Sequence, residues 1–266
     1  SSISFVASSN GIIYAGATPD FVDIEQSSYT IDVNKLEKKL KFYNKKDKKV
    51  VAVVATDYAG HPCDWEALQK IADRYELKLV EDACHALGAT YKEQPIGSCN
   101  FEDVTVFSFH PVKQITTGEG GAVLTNDKVL DERLKLLRSH GVTKDSNLLK
   151  KNEGPWYYEM LELGYNYRIT DFQCALGENQ LKRLEDFIER RKNIATYYNQ
   201  RFSKLNDKVI PPKVSPYVSH AWHIYPLQID FELMNLDKAN FFRNLKDKHI
   251  GVQVHYIPVH LQPYYQ

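Results

Sequence analysis

The sequence predicts an α/β protein with a mostly parallel sheet, followed by a smaller α+β domain. Two observations support this class. Short runs of β-branched and apolar residues alternate with stretches of helical periodicity, which is typical of a doubly wound sheet. The runs are also apolar without alternation, as in strands that helices cover on both faces. Ligands of such sheets bind beyond the carboxyl ends of the strands, so functional residues are expected there.

The predicted elements follow one another in a regular order. We interpret residues 3–8 as the end of a strand that enters a turn, and residues 49–56 as a buried strand. Asp64 is a predicted N-cap, and apolar residues recur at helical spacing over 65–75. The remaining predicted elements are strands at 77–80, 104–109 and 120–126, the last after a glycine turn, and a helix at 130–137.

A long helical stretch leads to the predicted domain boundary. It extends over 170–202, and the basic run 190–192 interrupts it, so we divide the chain into a large domain at 1–190 and a small domain at 191–266. Both ends of the sequence look cut. We therefore expect the large domain to lack its N-terminal part and the small domain to be incomplete. The elements predicted in the small domain are strands at 223–229 and 252–255 and a helix at 238–246.

The composition argues against several classes of partner. Lys plus Arg and Asp plus Glu both number 34, so no net charge favours nucleic acid or a membrane surface. The charged run 45–49 is expected to form a solvated turn. No apolar run reaches membrane-spanning length. The four cysteines contain no CxxC pair, which favours reduced thiols in a cytosolic protein over a disulfide framework or a metal site. These cysteines are Cys63, Cys84, Cys99 and Cys174.

Asp82 and Lys113 follow two different predicted strands, and Ser108 lies between them in the sequence. A lysine at the edge of a buried sheet loses solvation, which lowers its pKa and leaves the amine free to attack a carbonyl group. Pyridoxal phosphate (PLP) carries such a carbonyl, and its ring nitrogen requires a nearby carboxylate. The alternative is that Asp82 caps a helix and Lys113 is a surface lysine. Spacing alone does not separate these two interpretations.

Longer motifs favour the cofactor site. Several segments of the sequence, in this order, resemble the signatures of the DegT/DnrJ/EryC1/StrS family of sugar aminotransferases, and the resemblance extends over nearly the whole chain. The segments are FVASSN at 5–10 with GATP at 16–19, EDACHALGA at 81–89, FSFHPVK at 107–113 with TTGEGGA at 116–122, and GYNYR at 164–168.

The resemblance implies a PLP-dependent transferase of fold type I, the fold of aspartate aminotransferase. It implies that Lys113 forms the Schiff base with PLP and then moves the proton during transamination. Asp82 would pair with the ring nitrogen. His85 would contact the ring or its 3′-oxygen, although a core histidine is an equal alternative. Phe5 would stack on the ring, or else be an ordinary core residue.

The family pattern also assigns the phosphate and substrate ends of the site. Ser108 would bind the cofactor phosphate, together with Asn166 of a neighbouring subunit. Arg168 would add charge there or form a structural salt bridge. His255 and Tyr256 would reach the nucleotide-sugar. The glycines of the 116–122 segment are interpreted as backbone devices, because glycine allows the φ values that a tight turn needs. They are Gly118, Gly120 and Gly121.

Three phrases resemble most closely the branch that aminates C4 of a UDP-linked 4-keto sugar on the way to pseudaminic acid. They are HALG at 85–88, FSFHPVK at 107–113 and GVQVHY at 251–256. The resemblance implies a homodimer with shared sites and an amino-acid donor, with glutamate expected. Amination at C3 of the sugar is an alternative. A related sugar dehydratase would have histidine in place of Lys113, so that interpretation is set aside.

One departure from the family supports a further alternative. The family has a Gly/Ser/Thr segment upstream of the Phe5 region that binds the phosphate at a helix N-terminus. We find no such segment in these 266 residues. A truncated, non-catalytic module with the same fold is therefore also considered.

Overall fold

The computed structural model describes residues 1–46, 49–205 and 208–266. The charged turn predicted at 45–49 includes residues 47 and 48, which lie outside the described residues. The helices are α1 (Val6–Tyr14), α2 (Val33–Asn44), α3 (Trp65–Tyr75), α4 (Lys128–Arg138), α5 (Asp171–Leu181), α6 (Leu184–Phe202) and α7 (Lys238–Asp247). Short 3₁₀ helices are formed by Tyr58–Gly60, Val259–Leu261 and Pro263–Tyr265.

The strands are β1 (Ala52–Thr56), β2 (Lys78–Asp82), β3 (Thr90–Tyr91), β4 (Gln94–Pro95), β5 (Val104–Ser108), β6 (Gly121–Leu124), β7 (Val142–Thr143), β8 (Glu159–Met160), β9 (Val209–Ile210), β10 (Val218–Ser219) and β11 (Gln228–Ile229). The main sheet has the order β1-β2-β5-β6. The first three of these strands are parallel, and β6 is antiparallel to β5. The prediction of a mixed α/β protein with a mostly parallel sheet is confirmed.

The principal core lies between the sheet and two helices. Asp64 caps α3 by accepting a hydrogen bond from the Ala67 amide at 3.2 Å, as the sequence predicts. On α3, Trp65 and Leu68 are buried against apolar residues of β1 and β2. Full burial of each such side chain stabilises the fold by roughly 1.5–3 kcal/mol. This packing holds the sheet edge from which the candidate site is built.

Two predicted strands are wrong. Residues 3–8 do not form a strand, because α1 begins at Val6. The hydroxyls of Ser4 and Ser8 face each other at 3.0 Å one turn apart, and this arrangement turns Ser8 toward the main sheet. Residues 252–255, all within the described chain, also have no strand pairing. There the carbonyl of His255 accepts a hydrogen bond from the Tyr58 hydroxyl instead of joining a ladder.

The helical stretch before the predicted domain boundary is two helices. The first, α5, ends at Leu181, and α6 continues from Leu184 through the basic run 190–192 without interruption. The strand predicted at 223–229 is limited to β11, which pairs with β9. The α7 helix confirms the one predicted at 238–246. The division of the chain at 190/191 stays a prediction.

Within the described ranges, no helix combines the length and the apolar character needed to cross a bilayer. The four cysteines are free thiols, in agreement with the absence of a CxxC pair.

Candidate functional site

Asp82 is held by donors from three parts of the chain. It ends β2 beside Thr56, the last residue of β1. Its Oδ2 accepts hydrogen bonds from the Ser8 hydroxyl at 2.5 Å and the Thr56 hydroxyl at 3.3 Å. Its Oδ1 accepts from the Cys84 amide at 3.2 Å. These donors fix the orientation of a carboxylate that is only 9% exposed.

Lys113 lies in the turn that follows β5. Its amide donates to the carbonyl of His110 at 2.9 Å, which folds the turn back toward the sheet edge. Burial lowers the pKa of the Lys113 amine, and its electrostatic interactions with Cys84 and Asp82 oppose that shift. The amine is therefore near the Asp82 carboxylate. Its lowered pKa raises the fraction of uncharged amine that can react with a carbonyl group.

His85 is buried and held as one neutral tautomer. The backbone amide of Ala59 donates to His85 Nδ1 at 3.3 Å, so the ring proton is on Nε2. Burial lowers the His85 pKa well below its usual value, and electrostatic interactions with His223 and Lys113 lower it further. The His85 Nε2 atom lies 3.4 Å from the Tyr256 hydroxyl. His85 is therefore a neutral hydrogen-bond donor beside Lys113.

Aromatic rings form the other wall of the site. The Phe5 and Tyr256 rings are 6.2 Å apart, and those of Tyr58 and Tyr256 are 6.3 Å apart. Burial raises the pKa of Tyr256 to about 12, with a contribution from Asp82, so this side chain keeps its hydroxyl proton. Burial also lowers the His255 pKa, as does the charge of Lys113. Three residues predicted from sequence, Phe5, His255 and Tyr256, thus lie together here.

Ser108 lies at the same edge of the sheet. It ends β5, and its hydroxyl accepts a hydrogen bond from the His110 amide at 3.3 Å. Gly121 is opposite Ser108 on β6, and a Cβ atom on Gly121 would lie 2.6 Å from the carbonyl oxygen of Phe107. Gly118 has φ of +80°. Both glycines serve the backbone geometry of the turn, as the sequence predicts.

The structure does not bring Asn166 and Arg168 to this cluster. Asn166 forms an isolated antiparallel bridge with Ser139, and the neighbouring Tyr167 amide donates to the carbonyl of Arg138 at 3.0 Å. In the part of the chain that the structure describes, the hydrogen bonds of this loop go to the end of α4, not to Lys113 or Asp82. Both predicted side chains are exposed.

Several residues of the site were not assigned from the sequence. Ser8 and Thr56 donate to Asp82, and both carry a weak signal, since Ser8 lies in the 5–10 motif and Thr56 ends a predicted strand. The His223 ring lies 4.4 Å from that of His85, and burial lowers its pKa to about 3. Its backbone amide donates to the carbonyl of Ala59 at 2.9 Å. No local pattern marks His223.

The assembled groups fit a small aromatic aldehyde. Lys113 offers an amine for the carbonyl group, Asp82 an oriented carboxylate for a ring nitrogen, and His85 a neutral donor for a ring oxygen. The Phe5 and Tyr256 rings offer apolar surface. These groups match the ring end of PLP, whereas Ser108 is the one phosphate donor among the predicted residues that this cluster contains.

The family profile and the sequence relatives of this chain agree on one protein family. The sequence profile of the DegT/DnrJ/EryC1/StrS aminotransferase family matches residues 1–266. The chain is 39% identical over 264 residues to the UDP-4-amino-4,6-dideoxy-N-acetyl-beta-L-altrosamine transaminase of Campylobacter jejuni, covering 99% of this chain and 66% of that protein. It therefore spans somewhat less than two thirds of the length of this curated relative.

Solved structures agree with the sequence comparison. Helicobacter pylori PseC, an aminotransferase of pseudaminic acid biosynthesis, superposes with a TM-score of 0.87 at 35% identity, covering 100% of this chain and 67% of that one. Spr1654 of Streptococcus pneumoniae, a candidate sugar aminotransferase solved in a PLP form, superposes with a TM-score of 0.83 at 27% identity, covering 99% and 68%. The fold-type expectation is confirmed.

The burial of the His85 ring predicts that the folding stability depends on pH. We expect the His85 ring of the folded protein to stay neutral at a pH where a free imidazole is protonated, since burial lowers its pKa, whereas the unfolded chain binds a proton near its usual pKa of about 6.5. The unfolded state then holds more protons, so the contribution of His85 to folding stability is present above about pH 6.5 and is lost as the pH falls. Ring ¹⁵N NMR, assigned with His85→Gln, measures this directly. A His85 titration near pH 6.5 in the folded protein contradicts the assignment.

Proposed function

Because the chain belongs to the DegT/DnrJ/EryC1/StrS aminotransferase family, we propose that the protein is a PLP-dependent enzyme that transfers an amino group to a nucleotide-linked 4-keto-6-deoxy sugar. The single observation that carries this proposal is the half-buried Lys113 amine beside the oriented Asp82 carboxylate at the carboxyl edge of the sheet. The donor is an amino acid, with glutamate as our choice. The product serves the biosynthesis of surface glycans or of pseudaminic acid-type sugars.

Different residues of this chain would bind different parts of the cofactor. Lys113 would hold PLP covalently through Nζ, and Asp82 would pair with its ring nitrogen. His85, as a neutral Nε2–H donor, would face the ring oxygen, and Phe5 would cover the ring. Ser108 would bind the phosphate from this chain. When bound, PLP supplies an electron sink for the charge that develops at the carbon losing its proton.

Lys113 is also the group that moves the proton. An amine whose pKa is lowered by burial releases a proton more readily and can take it up again, which is the requirement for a general acid and base. Electrostatic interactions with Cys84 and Asp82 oppose this shift, so the amine stays basic enough to take the proton. Asp82 is not assigned this step, because its carboxylate would pair with the ring nitrogen.

The substrate proposal depends on the relatives and on the far wall of the site. The Campylobacter relative is named as a transaminase of a UDP-linked 4-amino sugar. In our chain, His255 and Tyr256 lie across from Lys113 and present a neutral imidazole and a phenol hydroxyl. Both can hydrogen-bond sugar hydroxyls. Amination at C3 of the sugar is the alternative within the same reaction class, and assay with 3-keto and 4-keto sugars separates the two.

A second copy of the chain would complete the phosphate end. The loop with Asn166 and Arg168 belongs to a surface rich in exposed large apolar side chains, which monomeric proteins rarely leave uncovered. A two-fold contact over this surface would place each loop at the partner's site, and both sites would be completed together. The exposed side chains are Trp156, Tyr158, Met160, Leu163, Tyr165, Tyr167 and Phe172. We propose a cytoplasmic homodimer, since the free thiols suit a reducing compartment.

Replacement of Lys113 tests the covalent assignment. Lys113→Arg is expected to lower transamination by on the order of 10³-fold or more, because a guanidinium can neither bond to the cofactor carbonyl nor move the proton. Lys135→Arg, an exposed lysine paired with Asp131, is the matched control and should leave turnover unchanged. Borohydride reduction with peptide mapping should label Lys113. A label on another lysine contradicts the assignment.

Replacement of Asp82 separates chemistry from cofactor capture. Asp82→Asn keeps the shape but removes the charge that a protonated ring nitrogen needs, so we expect kcat to fall by roughly 10²-fold or more with PLP still bound. Asp103→Asn, an acid paired with Lys78 at the opposite end of the strands, is the control. Absorbance titration measures binding and a coupled assay measures kcat. Near-normal turnover of Asp82→Asn with PLP bound would show that the role is wrong.

Subunit mixing tests the shared site. Lys113→Ala and Asn166→Ala subunits should each be inactive alone, whereas a mixed dimer should regain one working site of two, because one site then has both intact residues. Native mass spectrometry verifies that the subunits exchange. If mixed dimers form and activity does not return, Asn166 acts within its own chain or only ties down its loop.

A further inference from the structure

A pair of buried acidic side chains, Glu81 and Asp57, lies on the face of the main sheet opposite Asp82. Glu81 precedes Asp82 on β2, so its side chain points to the other face, beside Ala55 and Thr105 of the neighbouring strands. Asp57 follows the last residue of β1. Both residues are 0% exposed, and neither takes part in the reaction proposed above.

The hydrogen bonds of these two carboxyl groups leave one oxygen on each without a donor. Glu81 Oε2 accepts from the Thr105 hydroxyl at 2.6 Å, and Asp57 Oδ1 accepts from the Cys63 amide at 2.7 Å. Glu81 Oε1 and Asp57 Oδ2 are buried and have no donor among the described residues. The Asp57 amide continues the β1–β2 ladder by donating to the Asp82 carbonyl at 3.1 Å, two residues after Ala55, which is paired with Glu81. The two carboxyl groups therefore lie side by side, close enough for a hydrogen bond between them. Two ionised carboxylates cannot form that bond, whereas one shared proton satisfies both oxygens.

The surroundings favour a retained proton. Burial raises the pKa of Glu81 most strongly, and the nearby charges of Asp57 and Glu102 raise it further. Burial likewise raises the pKa of Asp57, and the other titratable groups that act on it are Cys63 and Asp82. The groups that face the pair are thus carboxyls and a thiol, all of which become negative when ionised. An unpaired double negative charge here would be strongly unfavourable.

The pair anchors the segment 57–63, and that segment contacts His85, His223 and His255 near Lys113. Asp57 closes the segment through its bond to the Cys63 amide. Ala59 donates to His85 Nδ1 and accepts from the His223 amide at 2.9 Å. The Tyr58 hydroxyl donates to the carbonyl of His255.

We propose that Glu81 and Asp57 share one proton in a buried carboxyl–carboxylate hydrogen bond, and that this bond positions the segment 57–63 and, through it, the histidines around Lys113. Glu81 and Asp57 are then positioning residues. The inference does not require the proposed reaction, because it concerns the fold of the cofactor-free chain.

Two substitutions of similar length at Glu81 test the bond. Glu81→Gln provides an amide that can donate to Asp57 and accept from Thr105. At about pH 4.5, where the unfolded wild-type carboxyl is still partly protonated, it should therefore keep the folding equilibrium constant within about threefold of wild type. Glu81→Met has similar size but no donor and leaves Asp57 unpaired, so this constant should fall by about tenfold or more. Glu132→Gln, an exposed glutamate on α4, controls for the loss of a charge.

The ring ¹⁵N NMR signal of His85, measured in wild type and in both Glu81 variants, reports whether the His85 ring keeps its position. It should match wild type in Glu81→Gln and shift in Glu81→Met. If Glu81→Gln fails to fold, or if Glu81→Met folds as well as Glu81→Gln with an unchanged His85 signal, the proposal is overturned.

The pH dependence of the folding constant tests whether Glu81 and Asp57 retain the shared proton. The folded-state pKa of Glu81 is raised, so folding takes up one proton, and the resulting stability is lost as the pH rises. Between about pH 6 and 8, the folding constant of wild type relative to Glu81→Gln should therefore fall by about tenfold per pH unit. Infrared spectra of wild type near neutral pH should show a protonated carboxyl band that Glu81→Gln lacks. A pH-independent ratio without that band means that both carboxyls are ionised, which contradicts the proposal.

Discussion

The site depends on the parallel register of three neighbouring strands. Thr56 lies beside Asp82, and Asp82 lies beside Val106, so β1, β2 and β5 end at one edge. Since successive residues of a strand face opposite sides, the same register places Asp82 toward Lys113 and Glu81 toward the core. A slip of β2 by one residue would exchange these two carboxyl groups between the faces. The chemistry on one face and the buried acid pair on the other therefore depend on a single alignment.

Loss of hydration then sets the protonation state on both faces. Burial disfavours the charged form of every group, so it lowers the pKa of Lys113, His85 and His223 and raises that of Glu81 and Asp57. The histidine cluster is neutral as a result, and it can surround an amine without strong repulsion. A site with many titratable side chains thus holds little positive charge before a ligand binds.

The parts that could be predicted from the sequence are those specified by local patterns. Periodicity and capping residues placed β1, α3 and β2, so the position of Asp82 at a strand end followed from the sequence. The donors to Asp82 could not be found this way, because Ser8 is 74 positions distant and reaches it through a tertiary contact. His223 was missed for a related reason, since its place is fixed by the backbone of a distant segment.

The two ends of the site are consequently built by different means. Asp82 and Ser108 are placed by the ends of regular strands, so no residue with a positive φ is needed to position them. The histidine end is fixed by the segment 57–63, in which Ala59 has φ of +60° and Gly60 has φ of +99°. A Cβ atom at Gly60 would lie 2.9 Å from the carbonyl oxygen of His85, so this close approach requires glycine. A positive φ at a residue such as Ala59 is unfavourable and persists only where other interactions enforce it. The bond of Asp57 to the Cys63 amide and its contact with Glu81 are among the interactions that hold this segment in place, together with the bonds of Ala59 to His85 and His223. A buried acid pair on the opposite face of the sheet can therefore influence where the histidines lie.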